Sequence, residues 1–295
     1  MPVDFDKTQL VKENRSCIGG SDSAAVLGVD PWRTALEAWA EKVGLIEREV
    51  GEAAEWGTRL EDVIVEKFLD VHPEIKLVTT VSDEFIVRDG WSFWGSHPDR
   101  IIEHEQYGPG VLEIKNRSEY LRRDIQTMTP LPPRCQLQHN IAACKSKYGT
   151  TWGALAFLIG GNSYIDKFEF ANPDIVRAME KVYQEFWHHV QSGTRPAAKA
   201  AGDGKVLDQL LGVDPDQTVY FESDQIELDE EYQRKKKEGK EIELRLDTIK
   251  ALLKDYIGEA AVGMVDTGAN YWRRSTVTPK GKKPYKLFKR HGKGI

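Results

Sequence analysis

Three residues near the middle of the chain have the types and spacing of a hydrolytic site: Asp99, directly after Pro98, then Glu113 and Lys115 separated by one isoleucine. Residues two apart on a strand share a face, so Glu113 and Lys115 point one way while Ile114 enters the core. A turn at residues 107–110 makes hairpin partners of strands at 100–103 and 111–115, with residues 92–94 leading in as a further strand. If that hairpin brings Asp99 beside Glu113, the two carboxylates repel each other unless something positive lies between them. A hard divalent cation with oxygen ligands answers that need. Lys115 can then orient and deprotonate a water, or stabilise charge on a phosphate. The plain alternative is a charged hairpin on which Glu113 and Lys115 form a solvated ion pair.

The elements around these residues must position them. Glu61 lies on an amphipathic helix that opens at Trp56, beside an apolar stripe of Leu60, Val63, Ile64 and Phe68. An unpaired carboxylate there is costly, and a cationic partner or a metal would remove the cost. Upstream, the run from Arg15 to Asp22 (RSCIGGSD) has two glycines that permit a tight turn, and Ser21 or Asp22 can cap the short helix behind it. A helix N-terminus, a serine hydroxyl and an arginine together form a phosphate site; an ordinary capped loop is the plain alternative. Thr34 caps a second helix at 35–43 that carries Trp39 inward. Strands at 76–81 and 84–87 lead toward the hairpin.

After Lys115 come Arg117, Arg122 and Arg123, and prolines at 130–133 break the chain. A helix at 134–144 then places Gln136 and Asn140 on one face and also carries Gln138 and His139. Strands at 150–159 and 163–170 pair around Gly160-Gly161-Asn162, and a helix at 174–191 ends at Gly193.

Composition limits the function classes. The 295 residues carry a net charge of −6, and no run of eighteen apolar residues or signal-peptide pattern suggests a membrane or export route, so a soluble cytoplasmic protein is expected. Cys17, Cys135 and Cys144 lack C-x-x-C spacing and read as reduced, small buried residues, not a zinc site or disulfide framework. The charge is uneven: nine Lys and Arg and no acidic residue lie from Tyr271 onward, interleaved with aromatics, which suits DNA held at one place on an acidic body. A small-residue linker at 196–204 divides the chain into a core at 1–196 and an extension at 197–295. The extension holds a long charged helix at 229–258, a hairpin at 264–277 and a basic tail.

Taken in order, the motifs RSCIGGSDSAAVLG, WGTRLED, SHPDRI, VLEIK and QLQH resemble the YqaJ-type viral recombinases, the lambda-type phage exonuclease branch of the PD-(D/E)xK nuclease superfamily. The resemblance covers about residues 15–190. It implies an α/β (α+β) core with a central mixed sheet flanked by helices, and 5′-to-3′ digestion of one strand of linear duplex DNA to leave 3′ overhangs for strand annealing. It further implies dependence on Mg2+ or Mn2+, with two ions, and a homo-oligomer, often a three-subunit ring, acting on DNA ends beside a single-strand annealing recombinase. Residue by residue, Asp99, Glu113 and the Ile114 carbonyl correspond to metal ligands, Lys115 to the holder of the attacking water, and Glu61 to an accessory carboxylate at the second metal or its waters. Gln136 corresponds to a glutamine near the site, with Gln138 as its alternate. Ser21 with Arg15 corresponds to a 5′-phosphate pocket, assisted by Arg122 or Arg123. His97 stands where some members carry serine, and the arginine of the first motif is offset by one residue. The competing expectations are an endonuclease or other DNA-processing nuclease of the superfamily, and a non-catalytic DNA-binding assembly subunit. Superfamily branches that carry an iron–sulfur cluster need four cysteines.

Overall fold

The computed structural model describes residues 15–47, 51–79, 84–265, 270–277, 283 and 285–291. In chain order these form helices α1 (Ser23–Val26), α2 (Ala35–Lys42) and α3 (Glu52–Val71), then strands β1 (Ile75–Thr79), β2 (Ile86–Val87), β3 (Gly95–Ser96), β4 (Arg100–His104) and β5 (Gly108–Arg117). Helices α4 (Arg122–Thr127) and α5 (Leu131–Tyr148) follow, then β6 (Trp152–Ile159), β7 (Ser163–Phe170), α6 (Pro173–Ser192) and α7 (Asp203–Leu210). The last elements are α8 (Ser223–Ile257), β8 (Val262–Met264), β9 (Tyr271–Val277) and β10 (Tyr285–His291). Two units result, Met1–Val213 and Asp214–Ile295.

Strand β5 is buried on both faces from Gly110 to Ile114, and a strand covered on both faces belongs in the middle of a sheet. It pairs antiparallel with β4 and parallel with β6 in a mixed sheet of order β1-β4-β5-β6-β7. Gly108 closes the β4–β5 hairpin with a left-handed φ of 69°. The parallel β5–β6 pair requires a crossover, which α4 and α5 supply. On one side of the sheet Leu112 and Ile114 share a buried cluster with Ile64, Val65 and Phe68 of α3. On the other, Val111, Leu155 and Phe157 share one with Leu137 and Ile141 of α5.

Several sequence expectations shift. Residues 92–94 do not form a strand: Ser92 and Phe93 lie in a turn, Trp94 makes an isolated bridge to Ile18, and the strand is β3, paired with β2. The indole of Trp94 is fully buried and donates to the His139 carbonyl at 3.2 Å, an anchor that fixes the segment by its side chain. Helix α3 starts at Glu52, not Trp56, with Gly51 extended ahead of it and two glutamates in its first turn. Its buried stripe is Ile64, Val65 and Phe68, while Val63 is 57% exposed. At roughly 100° per residue, Val63 falls outside the arc of those three, and Glu61 falls within it. Pro132 and Pro133 open α5 instead of breaking the chain before it, because the first turn has no use for their missing N–H groups.

The segment at 196–204 is no free linker. The backbone N–H groups of Lys199 and Ala200 donate to the Asp203 carboxylate at 2.7 and 2.8 Å, and α7 buries Val206 in the first unit's core. The division therefore falls at Val213, and α7 belongs to the first unit. In the second unit the expected hairpin at 264–277 is a three-stranded sheet of order β10-β9-β8, to which the basic C-terminal stretch contributes β10.

Asp22 does not cap α1 through its side chain. It is buried between Arg33 (2.7 Å) and Lys42 (2.5 Å), accepts the Gly19 N–H at 2.9 Å, and Arg33 in turn binds Glu41. Burial alone would raise this carboxyl, but Lys42 and Arg33 outweigh it and hold the pKa down at about 2. A depressed acid adds stability above its ordinary value near 3.8, which is lost as pH falls from there to about 2. Asp22→Ala removes the carboxylate that Arg33 and Lys42 share in a buried place, so a stability loss of about 3–5 kcal/mol is expected in urea unfolding at pH 7. The same titration at pH 2 should show a much smaller difference between variant and parent.

Candidate active site

Asp99 sits one residue before β4, and its carboxylate accepts the Ile114 N–H of β5 at 2.7 Å. That bond brings Asp99 level with Glu113 and Lys115, whose side chains are hydrogen-bonded to each other. Glu113 is wholly buried, and its second oxygen accepts from the Asn140 amide of α5 at 2.8 Å. Glu61 approaches from α3, 3.9 Å from the guanidinium of Arg100. Asp99, Glu113, Ile114, Lys115, Glu61 and Gln136 line one cavity of about 210 Å³.

The electrostatics of this cavity are those of a negative site short of positive charge. Burial, and then the neighbouring Asp99, pushes Glu113 well above the ordinary carboxylate range, although Lys115 and Asn140 oppose the shift. Burial followed by Asp99 raises Glu61 to about 7, against the pull of Arg100 and Lys115. Two neighbouring acids whose ionisation is resisted in this way mark a place where a cation would favour their charged forms. Among the described residues no three His, Cys, Asp or Glu side chains converge as a ready metal cluster. The carboxylates of Asp99 and Glu113 on this cavity are oxygen donors of the kind a hard divalent cation takes together with waters.

A larger cleft of about 730 Å³ shares Lys115, Arg117 and Gln136 with this cavity and extends to Gly20, Ser21, Trp32 and Arg33. Ser21 is exposed there. The other proposed phosphate contacts do not come together with it. Arg15 lies outside the cleft lining, with its guanidinium 4.0 Å from Glu47. Arg122 binds Glu119 at 2.5 Å and also the Ser163 hydroxyl, and neither it nor Arg123 lines either cavity. Arg117, on the end of β5, lines both. The physical reason is register: Arg117 continues the face of Glu113 and Lys115 at period two, whereas Arg122 and Arg123 lie past the strand end on α4.

Of the two glutamines on α5, Gln136 faces the cavity while Gln138 is structural. The Gln138 side chain donates to the Phe170 carbonyl at 2.9 Å and accepts the Asn172 N–H at 2.8 Å, tying α5 to the end of β7. His139 is likewise structural. Its Nε2–H donates to the Gly95 carbonyl (2.8 Å), so in the neutral ring Nδ1 accepts from the Tyr183 hydroxyl (3.0 Å), and burial lowers its pKa to about 4. His97 packs against Phe85, with ring centroids 5.1 Å apart. Cys17 and Cys144 are buried and Cys135 partly so, and none of the three is joined in a disulfide.

Asn140 was legible only as a neighbour of Gln136 on the helix. In the fold it is almost fully buried, donates to Glu113 and accepts from the Ser96 hydroxyl at 2.8 Å. A methyl group on Gly20 would meet the Asn140 Oδ1 at 2.4 Å, and neither Gly19 nor Gly20 has a positive φ. Gly20 thus serves a close approach to Asn140, not a tight turn. Asn140→Ala should lower activity or metal affinity by about 10–100-fold, the usual cost of removing a group that orients a ligand. Half-saturating Mg2+ in the activity assay and isothermal titration with Mg2+ would both read it.

Residues 11–147 match the model of the YqaJ-like viral recombinase domain. The curated Bacillus subtilis (strain 168) protein YqaJ, itself uncharacterized, is 28% identical over 200 residues, 66% of this chain and 60% of YqaJ. The chain thus spans about 60% of the length of that relative. Among solved structures, LHK-Exo, an alkaline exonuclease from Laribacter hongkongensis, aligns at 15% identity with a TM-score of 0.50, covering 63% of this chain and 94% of its own. The same protein in complex with dAMP aligns at 14% identity with a TM-score of 0.51 over the same shares. The mixed sheet flanked by helices is therefore the fold of these exonuclease structures, and residues 11–147 are similar to the YqaJ-like viral recombinase domain.

Proposed function

We propose that the protein is a metal-dependent exonuclease that digests one strand of linear duplex DNA from its 5′ end. The observation that carries this reading is the convergence of Asp99, Glu113, Lys115, Glu61 and Gln136 on one cavity that adjoins the Ser21–Arg117 cleft. Asp99, Glu113 and the Ile114 carbonyl would hold Mg2+ or Mn2+, with Glu61 serving a second ion or its waters. A bound divalent ion supplies a water of lowered pKa and neutralises charge on the departing oxygen.

The chain's own residues do the rest. Lys115 donates to the attacking water or to a phosphate oxygen, a role open to it once its bond to Glu113 is exchanged for one to substrate. Asn140 keeps the Glu113 carboxylate in one orientation. Gln136, with both hydrogen-bond donors and acceptors on its amide, positions the water or the scissile phosphate. Ser21 and Arg117, which line the cleft together, receive the terminal 5′-phosphate.

The test is to offer equal amounts of linear and covalently closed circular duplex in Mg2+. Release of nucleotides from the linear form alone is expected, with slower initiation when the 5′ end carries a hydroxyl. Cutting of the closed circle would point to an endonuclease. Tight DNA binding without any cleavage would point to an assembly subunit.

A further inference from the structure

We propose that the outer face of the terminal sheet, formed by β8, β9 and β10, is a binding site for single-stranded DNA. Strand register separates the two faces of this sheet. Gly263, Trp272, Arg274 and Phe288 lie on the inner one: a methyl on Gly263 would strike Ile257 of α8 at 2.5 Å, and Lys254 sits 5.5 Å from the Phe288 ring. Side chains alternate along a strand, so Tyr271, Arg273 and Ser275 of β9 point to the opposite face. Their partners His291, Lys289 and Leu287 on β10 point there with them.

That outer face has an unusual feature. Arg273 and Lys289 are directly opposed and both exposed, and like charges facing each other across a strand pair are destabilising. None of the three strands contains an Asp or Glu to relieve them. The cationic pair is flanked on one side by Tyr271 and His291, stacked at 5.0 Å with 10° between their planes, and on the other, two rows along, by the half-exposed ring of Tyr285.

A row of cations between flat rings is complementary to a chain that alternates phosphate with base. Stacking on aromatic rings is available to splayed-out bases and not to those inside a duplex. An acidic protein would satisfy the cations but leave the rings without partners, which favours a polynucleotide. The choice of DNA rests on the nuclease reading above, whereas the site itself does not.

The experiment uses the full chain carrying Asp99→Asn in EDTA, so that binding is read without cleavage and does not depend on the nuclease reading. Fluorescence anisotropy with a labelled thirty-nucleotide oligo(dT) is measured across a salt series. Adding Arg273→Ala and Lys289→Ala should weaken binding at least tenfold and reduce the slope of log K against log[salt] by about 1.4, two contacts at about 0.7 each. Tyr271→Ala should also weaken it, while Tyr271→Phe should not. Removal of two opposed like charges should leave the thermal midpoint unchanged or raised, so loss of binding cannot be assigned to unfolding. Binding within twofold of the parent after the double substitution would overturn the proposal. So would an equal loss on blunt duplex DNA, or competition by polyglutamate as effective as that by unlabelled oligo(dT).

Discussion

Asp99→Asn and Lys115→Ala proteins are expected to lose nucleotide release from linear duplex DNA by about 10³-fold or more while remaining folded. The magnitude follows from the several kcal/mol that charge stabilisation at such a centre contributes, each 1.4 kcal/mol being about tenfold in rate. Folding is spared for different reasons at the two positions. The amide oxygen of an asparagine at position 99 can still accept the Ile114 N–H that Asp99 accepts at 2.7 Å. Lys115 is 16% exposed at the cavity wall, and its removal frees Glu113, which burial and Asp99 already favour in the protonated state. The measurement is acid-soluble nucleotide release, paired with a thermal melt and an anisotropy titration on duplex DNA. Near-parental cleavage by a folded Asp99→Asn protein would remove the site assignment altogether.

The second large effect links protons, metal and stability. Glu61 and Glu113 are both raised above their ordinary value of 4.5, Glu61 to about 7. For an acid raised in the folded state, the associated stability is full below the unfolded value and is lost as pH rises through the folded one. In EDTA the protein should therefore lose stability between pH 4.5 and about 7. Glu61 contributes about 1–3 kcal/mol after allowance for its partial exposure, at about 1.4 kcal/mol per pKa unit. The midpoint would fall on the order of 5 °C for a domain of this size.

Millimolar Mg2+ at pH 7.5 should restore that stability, since a cation between the carboxylates favours their ionised forms. His139 acts oppositely: a base lowered to about 4 costs stability as pH falls from its ordinary 6.5. The informative comparison is therefore Mg2+ against EDTA at a single pH, in the parent and in Glu113→Gln. The metal-dependent part of the melt should be largely lost in the variant. A midpoint indifferent to Mg2+ in the parent would deny the cavity its cation.

Much of the fold was legible because period-two and period-3.6 patterns are local properties. The β4–β5 hairpin, the β6–β7 pair, Thr34 as the cap of α2 (its hydroxyl accepting the Glu37 N–H at 3.1 Å) and Gly193 as the end of α6 all follow from residues adjacent in sequence. The departures arose where a distant partner overrides local preference. Trp94 is held by the His139 carbonyl, so the residues before it turn instead of pairing. Val206 and Asp203 are taken into the first unit, so a small-residue stretch that reads as a linker is part of it.

The candidate site divides along the same line. Residue types and spacing by themselves determined that Asp99, Glu113 and Lys115 meet, since a hairpin with a fixed turn leaves them little choice, and motif order added Glu61, Gln136 and Ser21. Only the tertiary structure set Gln136 and not Gln138 on the cavity, placed Arg117 and not Arg15, Arg122 or Arg123 along its walls, and brought in Asn140, Ser96 and the Asp22–Arg33–Lys42 network. Each of those choices depends on which side chain a helix turns toward a strand some twenty residues away or more, or on which carboxylate two buried cations share. Such contacts are set by packing across the sheet, which leaves no trace in the spacing of neighbours along the chain.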